Sequence, residues 1–205
     1  MFEELKITGD NNCLVFEDKD TVKFINKGLT INNNGKNNIV RVGKNAILNN
    51  VIINFGSDNN VVEIGSNTNL TFTAILKIVP NNKLLIGNKT TMGGGSFICG
   101  EGTTIKIGED CMLAWGLEFR STDSHAIVDR NTRERLNKAK DIIIEDHVWI
   151  GAHSTILKGT HIKKDSVVSI RSVVSKPFAE GGVVIGGVPG KIIKTNIDWE
   201  RPLLG

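Results

Sequence analysis

The sequence between residues 144 and 174 repeats in steps of six, and this step constrains the fold more than any other feature. Aliphatic residues occupy every sixth position: Ile144, Ile150, Ile156, Ile162, Val168 and Val174. Four residues after each of the first five stands a small or β-branched residue: Val148, Ser154, Thr160, Ser166 and Ser172. In a helix, six residues turn through about 240° and would scatter the aliphatic side chains around the cylinder. In a strand, six is an even number, so each aliphatic side chain returns to the same face.

This repeat predicts a triangular coil built from three short strands with a corner after each one. Three six-residue sides close one coil, so Ile144 should stack on Ile162 and Ile150 on Val168. Neighbouring coils would then lie about 4.8 Å apart, the spacing of parallel strands. The small residues would sit where each corner crowds the interior. We therefore expect an all-β chain that winds into a parallel β-helix.

A longer period continues the pattern upstream. The pairs Val42-Gly43, Ile64-Gly65, Ile86-Gly87 and Ile107-Gly108 are spaced 22, 22 and 21 residues apart. Ile144 follows Ile107 by 37 residues, and the excess matches a charged, non-periodic stretch at 120–141. A long insertion in a regular solenoid is a candidate functional loop. The predicted organisation is an irregular strand or cap region at 1–36, a β-helix at 37–195 with the insertion 120–141, and a tail at 196–205.

Composition narrows the functional class. A formal charge of +3 is too small to indicate a nucleic-acid partner. The cysteines Cys13, Cys99 and Cys111 are odd in number and widely spaced, which predicts neither a disulfide framework nor a cysteine zinc site. The sequence shows no long apolar run and no signal peptide, so we expect a cytoplasmic protein without a membrane span. Recurrent asparagine doublets indicate tight corners, because asparagine tolerates positive φ.

Several motifs are similar to those of the hexapeptide-repeat acyltransferases. The general signature consists of the repeat itself together with Asp146–Gly151, Thr155–Gly159 and Gly187–Lys191. A narrower resemblance, to capsular polysialic acid O-acetyltransferases, lies in Lys89–Gly93, Asp110–Ala114 and Thr122–His125. It covers roughly residues 86 to 201. The resemblance implies a left-handed β-helix, a homotrimer with active sites between neighbouring subunits, acetyl-CoA as co-substrate, a sugar or polysaccharide acceptor, and no metal.

The resemblance also implies roles for individual residues. His125 aligns with the catalytic histidine, and imidazole suits a base that takes a proton from a sugar hydroxyl. Asp123, Glu118 or a backbone carbonyl could orient it, and the sequence does not choose among them. Trp149 is expected beside the thioester, with its backbone N–H facing the developing oxyanion and its ring lining the cleft. The alternative for this outward tryptophan is a position in the trimer interface.

Coenzyme A and the acceptor have their own candidate residues. The family pattern places coenzyme A along consecutive coils, with the candidates Trp149, Gly151, Ala152, Ile170, Arg171, Ser175, Lys176 and Lys191. The residues expected near the acceptor are Gly94, Trp115 and Asp123. Gly94 and Trp115 depart from the family pattern, which commonly has asparagine and histidine or a small residue there.

Three other functions compete with this interpretation. A small-sugar or antibiotic O-acetyltransferase would share the repeat and the co-substrate. A γ-class carbonic anhydrase uses the same fold with three zinc-binding histidines, and His147, His153 and His161 all point outward by the repeat phase. An ice-binding solenoid would need a ladder of Thr-x-Thr, whereas only Thr71-Phe72-Thr73 fits.

Overall fold

Short strands account for almost all the regular structure of the chain. The computed structural model describes residues 3–204, and within them lie 22 strands and one short 3-10 helix at Lys19–Thr21. The strands are β1 (Glu3–Lys6), β2 (Cys13–Phe16), β3 (Lys23–Asn33), β4 (Ile39–Val42), β5 (Ile47–Phe55), β6 (Val61–Ile64), β7 (Asn69–Leu70), β8 (Thr73–Lys77), β9 (Lys83–Ile86), β10 (Thr91–Met92), β11 (Gly95–Gly100), β12 (Thr104–Ile107), β13 (Met112–Leu113), β14 (Leu117–Arg120), β15 (Ile142–Ile144), β16 (Trp149–Ile150), β17 (Thr155–Leu157), β18 (His161–Ile162), β19 (Val167–Val168), β20 (Val173–Val174), β21 (Val184–Gly186) and β22 (Lys191–Lys194).

Parallel ladders arrange these strands into three faces of a solenoid. The first face runs β2-β4-β6-β9-β12-β15-β18, and the second runs from β5 through β7, β10, β13, β16 and β19 to β21. The third face runs from β5 through β8, β11, β14 and β17 to β20. The long strands β3 and β5 bend around a corner and contribute to both the second and the third face.

The register confirms the stacking that the repeat predicts. Ile144 pairs with Ile162, and Ile150 pairs with Val168. The upstream anchors pair in the same way, with Ile86 beside Ile107 and Ile107 beside Ile144. The pairing of Ile107 with Ile144 crosses the whole insertion, so the loop interrupts no ladder. Short hydrogen bonds such as Gly108 N–H to Ile144 O, at 2.9 Å, continue the ladder into the corner.

The described part of the region at 1–36 contains two strands that belong to the solenoid and one strand that pairs differently. β2 pairs in parallel with β4, and β3 pairs in parallel with β5, so these two strands add a coil to the solenoid. β1 instead pairs antiparallel with β2. An antiparallel partner occupies the free edge of the first parallel strand, which would otherwise expose unpaired backbone groups.

Side chains that point inward fill the solenoid with a continuous apolar column. Three phenylalanine rings pack in sequence, since Phe97 meets Phe72 edge to face and stacks on Phe119 at 4.7 Å. The small residues of the repeat are buried as predicted, and their hydroxyls bond to nearby carbonyls. Ser172 Oγ, for example, donates to Ser169 O at 2.7 Å. These bonds satisfy polar atoms where a larger side chain would not fit.

Residues with positive φ mark the corners between the faces. The first corner, between the first and second faces, contains Lys89, Asp110, His147 and Asp165, which all have positive φ. The second corner follows the second face and includes Gly116, His153 and Arg171, again with positive φ. The third corner follows the third face and carries the loop at 121–141. Among the described residues, no helix has the length and apolar character needed to cross a membrane.

Candidate active site

An apolar cleft of about 680 Å³ opens on the second face and extends to the second corner. Its lining residues are Met112, Ala114, Trp115, Trp149, Gly151, Ala152, Val167, Val168, Ser169 and Ile170. They come from three consecutive coils, because Met112 pairs with Trp149 and Trp149 pairs with Val167. An apolar cleft edged by a few polar groups is the usual form of a small-molecule site.

The tryptophans at the cleft keep their rings accessible. Trp149 points away from the interior and is 38% exposed, and Trp115 is 61% exposed. The Trp149 backbone N–H donates to Ser166 O at 2.9 Å as part of the parallel ladder. That amide is therefore not free to face an oxyanion, contrary to the expectation from the sequence. Within the described chain the Trp149 indole N–H has no hydrogen-bond acceptor, so the side chain keeps a free donor.

Five of the residues expected at the site converge on this cleft, and others lie elsewhere. Gly151, Ala152, Ile170 and Trp149, which are candidates for binding coenzyme A, line it, and so does Trp115, a candidate for binding the acceptor. Gly94 lies at the same corner on an earlier coil, and a Cβ built on it would meet no atom within 4 Å. Arg171 directly follows Ile170 and is exposed.

Besides Arg171, three expected coenzyme residues do not line the cleft. Ser175 and Lys176 follow β20 at the third corner, where Lys176 Nζ lies 5.5 Å above the Phe178 ring. Lys191 begins β22 and pairs with Gly186 at the edge of the second face. The positions of Ser175 and Lys176 follow from the six-residue step, which carries the chain to a different face after each corner, whereas Lys191 lies beyond the repeat on an antiparallel strand.

His125 lies on the loop at the third corner, and its side chain is exposed. Among the described residues no side chain or carbonyl holds its imidazole. The carboxylate of Asp123 instead binds Lys158 Nζ and, at 2.7 Å, Asn137 Nδ2. The bond from Lys158 and the amide of Asn137 hold the pKa of Asp123 below its usual range. Glu118, the other candidate partner, pairs with Arg120 Nη1 at 2.8 Å.

Polar contacts fix the backbone of the loop on both sides of His125. The Asn137 amide donates to His125 O at 2.8 Å, and Asn137 Oδ1 accepts from Ile127 N–H at 2.7 Å. Ser124, the residue before His125, has a φ of 64°, and its buried hydroxyl is without a hydrogen-bond partner. A strained residue and an unpaired buried hydroxyl both cost stability, and such costs concentrate at functional sites.

The remaining histidines do not converge within the chain. His147 Nδ1 faces Asp110 Oδ2 at 3.1 Å at the first corner, whereas His161 Nε2 faces Glu145 Oε1 at 2.8 Å on the first face. His147 also shares a cluster with Asp165 and Asp198, in which the nearest ligand atoms lie within 4.8 Å. This cluster holds one histidine and is separate from both the cleft and the loop.

The structure superposes on two solved acetyltransferases over nearly its full length. The polysialic-acid-specific acetyltransferase NeuO matches with a TM-score of 0.87 and 32% identity, covering 95% of this chain and 81% of NeuO. The polysialic acid O-acetyltransferase OatWY matches with a TM-score of 0.80 and 35% identity, covering 95% of this chain and 90% of OatWY. This chain belongs to the polysialic acid O-acetyltransferase family. The membership confirms the expected left-handed parallel β-helix of the hexapeptide-repeat type.

Sequence comparison leads to the same family. The polysialic acid O-acetyltransferase of Neisseria meningitidis is 40% identical over 115 residues, which is 56% of this chain and 54% of that protein. The corresponding protein of Escherichia coli O1:K1 is 36% identical over 113 residues, which is 55% of this chain and 36% of that protein. The chain thus spans about half and about a third of these relatives. No protein-family model matches the sequence.

Other residues of the site were not found from the sequence. Met112 and Val167 occupy the position of Trp149 on the preceding and following coils, so adding 18 residues to Trp149 would have found Val167. Asn137 and Lys158 hold the loop near His125, but they are separated in sequence from it and from each other. No periodic signal connects them.

Proposed function

We propose that this chain transfers an acetyl group from acetyl-CoA to a hydroxyl group of a sialic-acid-containing capsular polysaccharide. The observation that carries the proposal is the pairing of an apolar cleft, walled by Trp149, with an exposed loop histidine, His125. The names of the similar proteins support sialic acid as the acceptor. The reaction needs a donor site, a base and an acceptor surface, and these come from different parts of the fold.

The cleft has the character that a coenzyme A thioester needs. Its apolar lining suits the pantetheine arm and excludes water from the thioester. The indole N–H of Trp149 is free to donate to the thioester carbonyl oxygen as negative charge develops there. Arg171, exposed beside Ile170 at the edge of the cleft, offers a cation for a phosphate group.

His125 would act as the general base in a direct displacement. The imidazole takes the proton of the sugar hydroxyl while the hydroxyl oxygen bonds to the thioester carbon. The carbon–sulfur bond of the resulting tetrahedral species then breaks, and the coenzyme A thiolate takes the proton from His125. Asp123, bonded to Lys158 and Asn137, remains ionised and helps to hold the loop.

The separation of these groups supports a site shared between subunits. Trp149 lies on the second face, whereas His125 extends from the third corner, and His125 does not line the cleft of its own chain. A cyclic trimer would place the loop of one subunit against the cleft of the next, since every subunit presents both surfaces. We therefore propose a homotrimer in which each site combines His125 and Trp149 from neighbouring subunits.

Mixed trimers test the shared site. His125→Ala and Trp149→Ala chains, carrying different affinity tags, are co-expressed, and oligomers with both tags are isolated. Some sites in these oligomers contain both native residues, so acetyl transfer should be well above that of either parent variant, in which every site lacks one of the two residues. Inactive mixed trimers, or a monomer by light scattering, would contradict the shared site.

The acceptor is tested by following thiol release from acetyl-CoA. Oligosialic acid is compared with other capsular oligosaccharides and with small sugars and aminoglycosides. His125→Ala should lower turnover on oligosialic acid by about 10²–10⁴-fold, while the affinity for coenzyme A stays the same. His161→Gln is the matched control, because His161 bonds to Glu145 on the first face. Turnover with small sugars or aminoglycosides alone would contradict a polysaccharide acceptor and favour a small-sugar or antibiotic O-acetyltransferase.

A further inference from the structure

Residues 197–201, here called the strap, turn back along the first corner against the direction of the solenoid. Ile197 N–H donates to Gly182 O at 2.9 Å on the last coil. Four residues later, the Arg201 guanidinium reaches Asp110 Oδ1 at 3.1 Å and Thr91 Oγ1 at 3.0 Å, which belong to much earlier coils. It also donates to Cys111 O at 3.1 Å. The strap is thus anchored at both ends and crosses several coils.

Trp199 is the centre of the strap and is 6% exposed. Its ring lies parallel to the His147 imidazole, with centroids 4.3 Å apart and planes inclined by 10°. The indole N–H donates to His147 O at 2.8 Å, so both the ring and its polar atom are held. Arg201 lies over the same ring at 5.8 Å. These contacts fix the position of Trp199, and neither His147 nor Arg201 lines the cleft.

Trp199 also contacts the tryptophan of the proposed donor site. The rings of Trp199 and Trp149 lie 6.2 Å apart and are inclined by 49°. Trp149 lines the cleft, whereas neither Trp199 nor His147 does, so Trp149 stands between the cleft and the strap. The neighbours of Trp149 on the preceding and following coils are Met112 and Val167, whose side chains are smaller than an indole. The strap therefore supplies the aromatic support on the side away from the cleft.

We propose that Trp199 is a positioning residue that holds the Trp149 indole in the wall of the cleft and thereby sets the affinity for the acyl donor. The inference rests on the proposed function, in which the cleft binds acetyl-CoA. A side chain that is already ordered loses little conformational freedom when a ligand packs against it. Without Trp199, the Trp149 ring would have to be immobilised on binding, and the affinity would fall.

The experiment combines a binding measurement with a signal from Trp149 itself. The protein is labelled with 5-fluorotryptophan, and the Trp149 resonance is assigned from Trp149→Phe. In Trp199→Leu, this resonance should narrow and move toward the chemical shift of an exposed indole. The Kd for coenzyme A should rise roughly 2- to 10-fold, which corresponds to the free-energy cost of ordering one side chain. Trp199→Phe keeps an aromatic ring and should restore most of both values.

Two further variants separate positioning from general damage to the fold. Arg201→Ala releases one end of the strap and leaves Trp199 in the sequence, so it should shift the Trp149 resonance in the same direction. Leu203→Ala changes a fully exposed side chain just beyond the strap and should change neither value. An unchanged Trp149 resonance in both Trp199→Leu and Arg201→Ala would overturn the inference. If the wild type binds no coenzyme A, the proposed donor site fails, and the resonance alone decides whether Trp199 positions Trp149.

Discussion

Arg135 forms a two-pronged ion pair with Glu101, in which its terminal nitrogens lie 2.6 and 2.9 Å from the two carboxylate oxygens. Thr122, at the start of the loop, donates to the same carboxylate. These bonds, with Arg135 as the larger cause, hold the pKa of Glu101 below its usual range. The pair ties the far side of the loop to the preceding coil, so the position of His125 depends on it.

Replacing Arg135 with methionine should loosen the loop. We expect turnover to fall by roughly 10- to 100-fold, because a small misplacement of a catalytic group costs rate steeply. The ladders do not use this side chain, so the unfolding midpoint should hardly change. Steady-state kinetics, with hydrogen exchange of residues 123–139, measure both effects. Arg130→Met, on the same loop but exposed, should behave as wild type; an equal loss in both variants would remove the ion pair from the explanation.

Glu145 should stabilise the fold in a way that depends on pH. Burial alone would raise its pKa, but bonds from Lys163 and His161 outweigh burial and lower the pKa to about 2. A carboxylate with a lowered folded-state pKa stabilises above its unfolded value of 4.5, and this stability is lost as pH falls toward about 2. The difference in unfolding free energy between wild type and Glu145→Gln should therefore shrink over that interval. A difference that is constant from neutral to acid pH would contradict the linkage.

His147 should stabilise the strap most at low pH. Partial burial would lower its pKa, but the contacts with the Asp110 carboxylate and the Trp199 carbonyl outweigh burial and raise the pKa above 6.5. Asp198 and Asp165 also face this imidazole, and the Arg201 cation is close by on Asp110. A raised folded-state pKa gives stability that is complete below 6.5 and is lost as pH rises through the folded value.

The difference in unfolding midpoint between wild type and His147→Gln measures this contribution. It should be largest near about pH 5.5 and decline toward about pH 9. The Trp149 resonance should shift over the same range, because the strap carries Trp199. An increase in the difference at alkaline pH would show that the neutral imidazole is the form that stabilises the strap.

A buried asparagine ladder should stabilise the early coils. Asn60 Nδ2 donates to Asn38 Oδ1 at 2.9 Å, and Asn60 Oδ1 accepts from both the side chain and the backbone N–H of Asn82. Asn60→Ala leaves the buried Asn82 backbone N–H without its acceptor, whereas Asn82 Nδ2 keeps its bond to Val79 O. The change should cost about 1–3 kcal/mol of unfolding free energy. Asn69→Ala, at an exposed strand position, is the control. Chemical denaturation of both variants gives the comparison, and equal losses would refute a special role for the ladder.

The asparagine doublets show where sequence reasoning succeeded and where it stopped. The first residue of four doublets, Asn11, Asn37, Asn59 and Asn81, has positive φ, as the expectation of tight corners requires. The second residue, as in Asn38 and Asn60, points inward and bonds to its neighbours on adjacent coils. The doublets indicated corners and carried no prediction that the second asparagine is buried. Because the coils stack, the second asparagine of one doublet lies beside the equivalent asparagine of the next coil and bonds to it.

The candidate site also combines residues that belong to the six-residue repeat with residues that lie outside it. The six-residue step puts Trp149, the residue before the inward-facing Ile150, on the outside, because interior packing fixes the phase of every strand. Ile170 was expected at the site from the family pattern. Ser175 and Lys176 were grouped with them by family pattern, although the step carries them around to the third corner. Trp199 lies outside the repeat, so its contact with Trp149 depends on how the strap folds back. Such a contact leaves no trace in the spacing of the sequence.

The pairing of Ile107 with Ile144 across the insertion has a consequence for how such proteins diversify. The strands on either side of the loop keep the alignment that they would have in an uninterrupted coil. A segment at this corner therefore changes in length and composition without moving any part of the apolar column or the cleft. Under the proposed function, the acceptor loop can therefore vary among relatives while the cleft for the acyl donor is inherited unchanged.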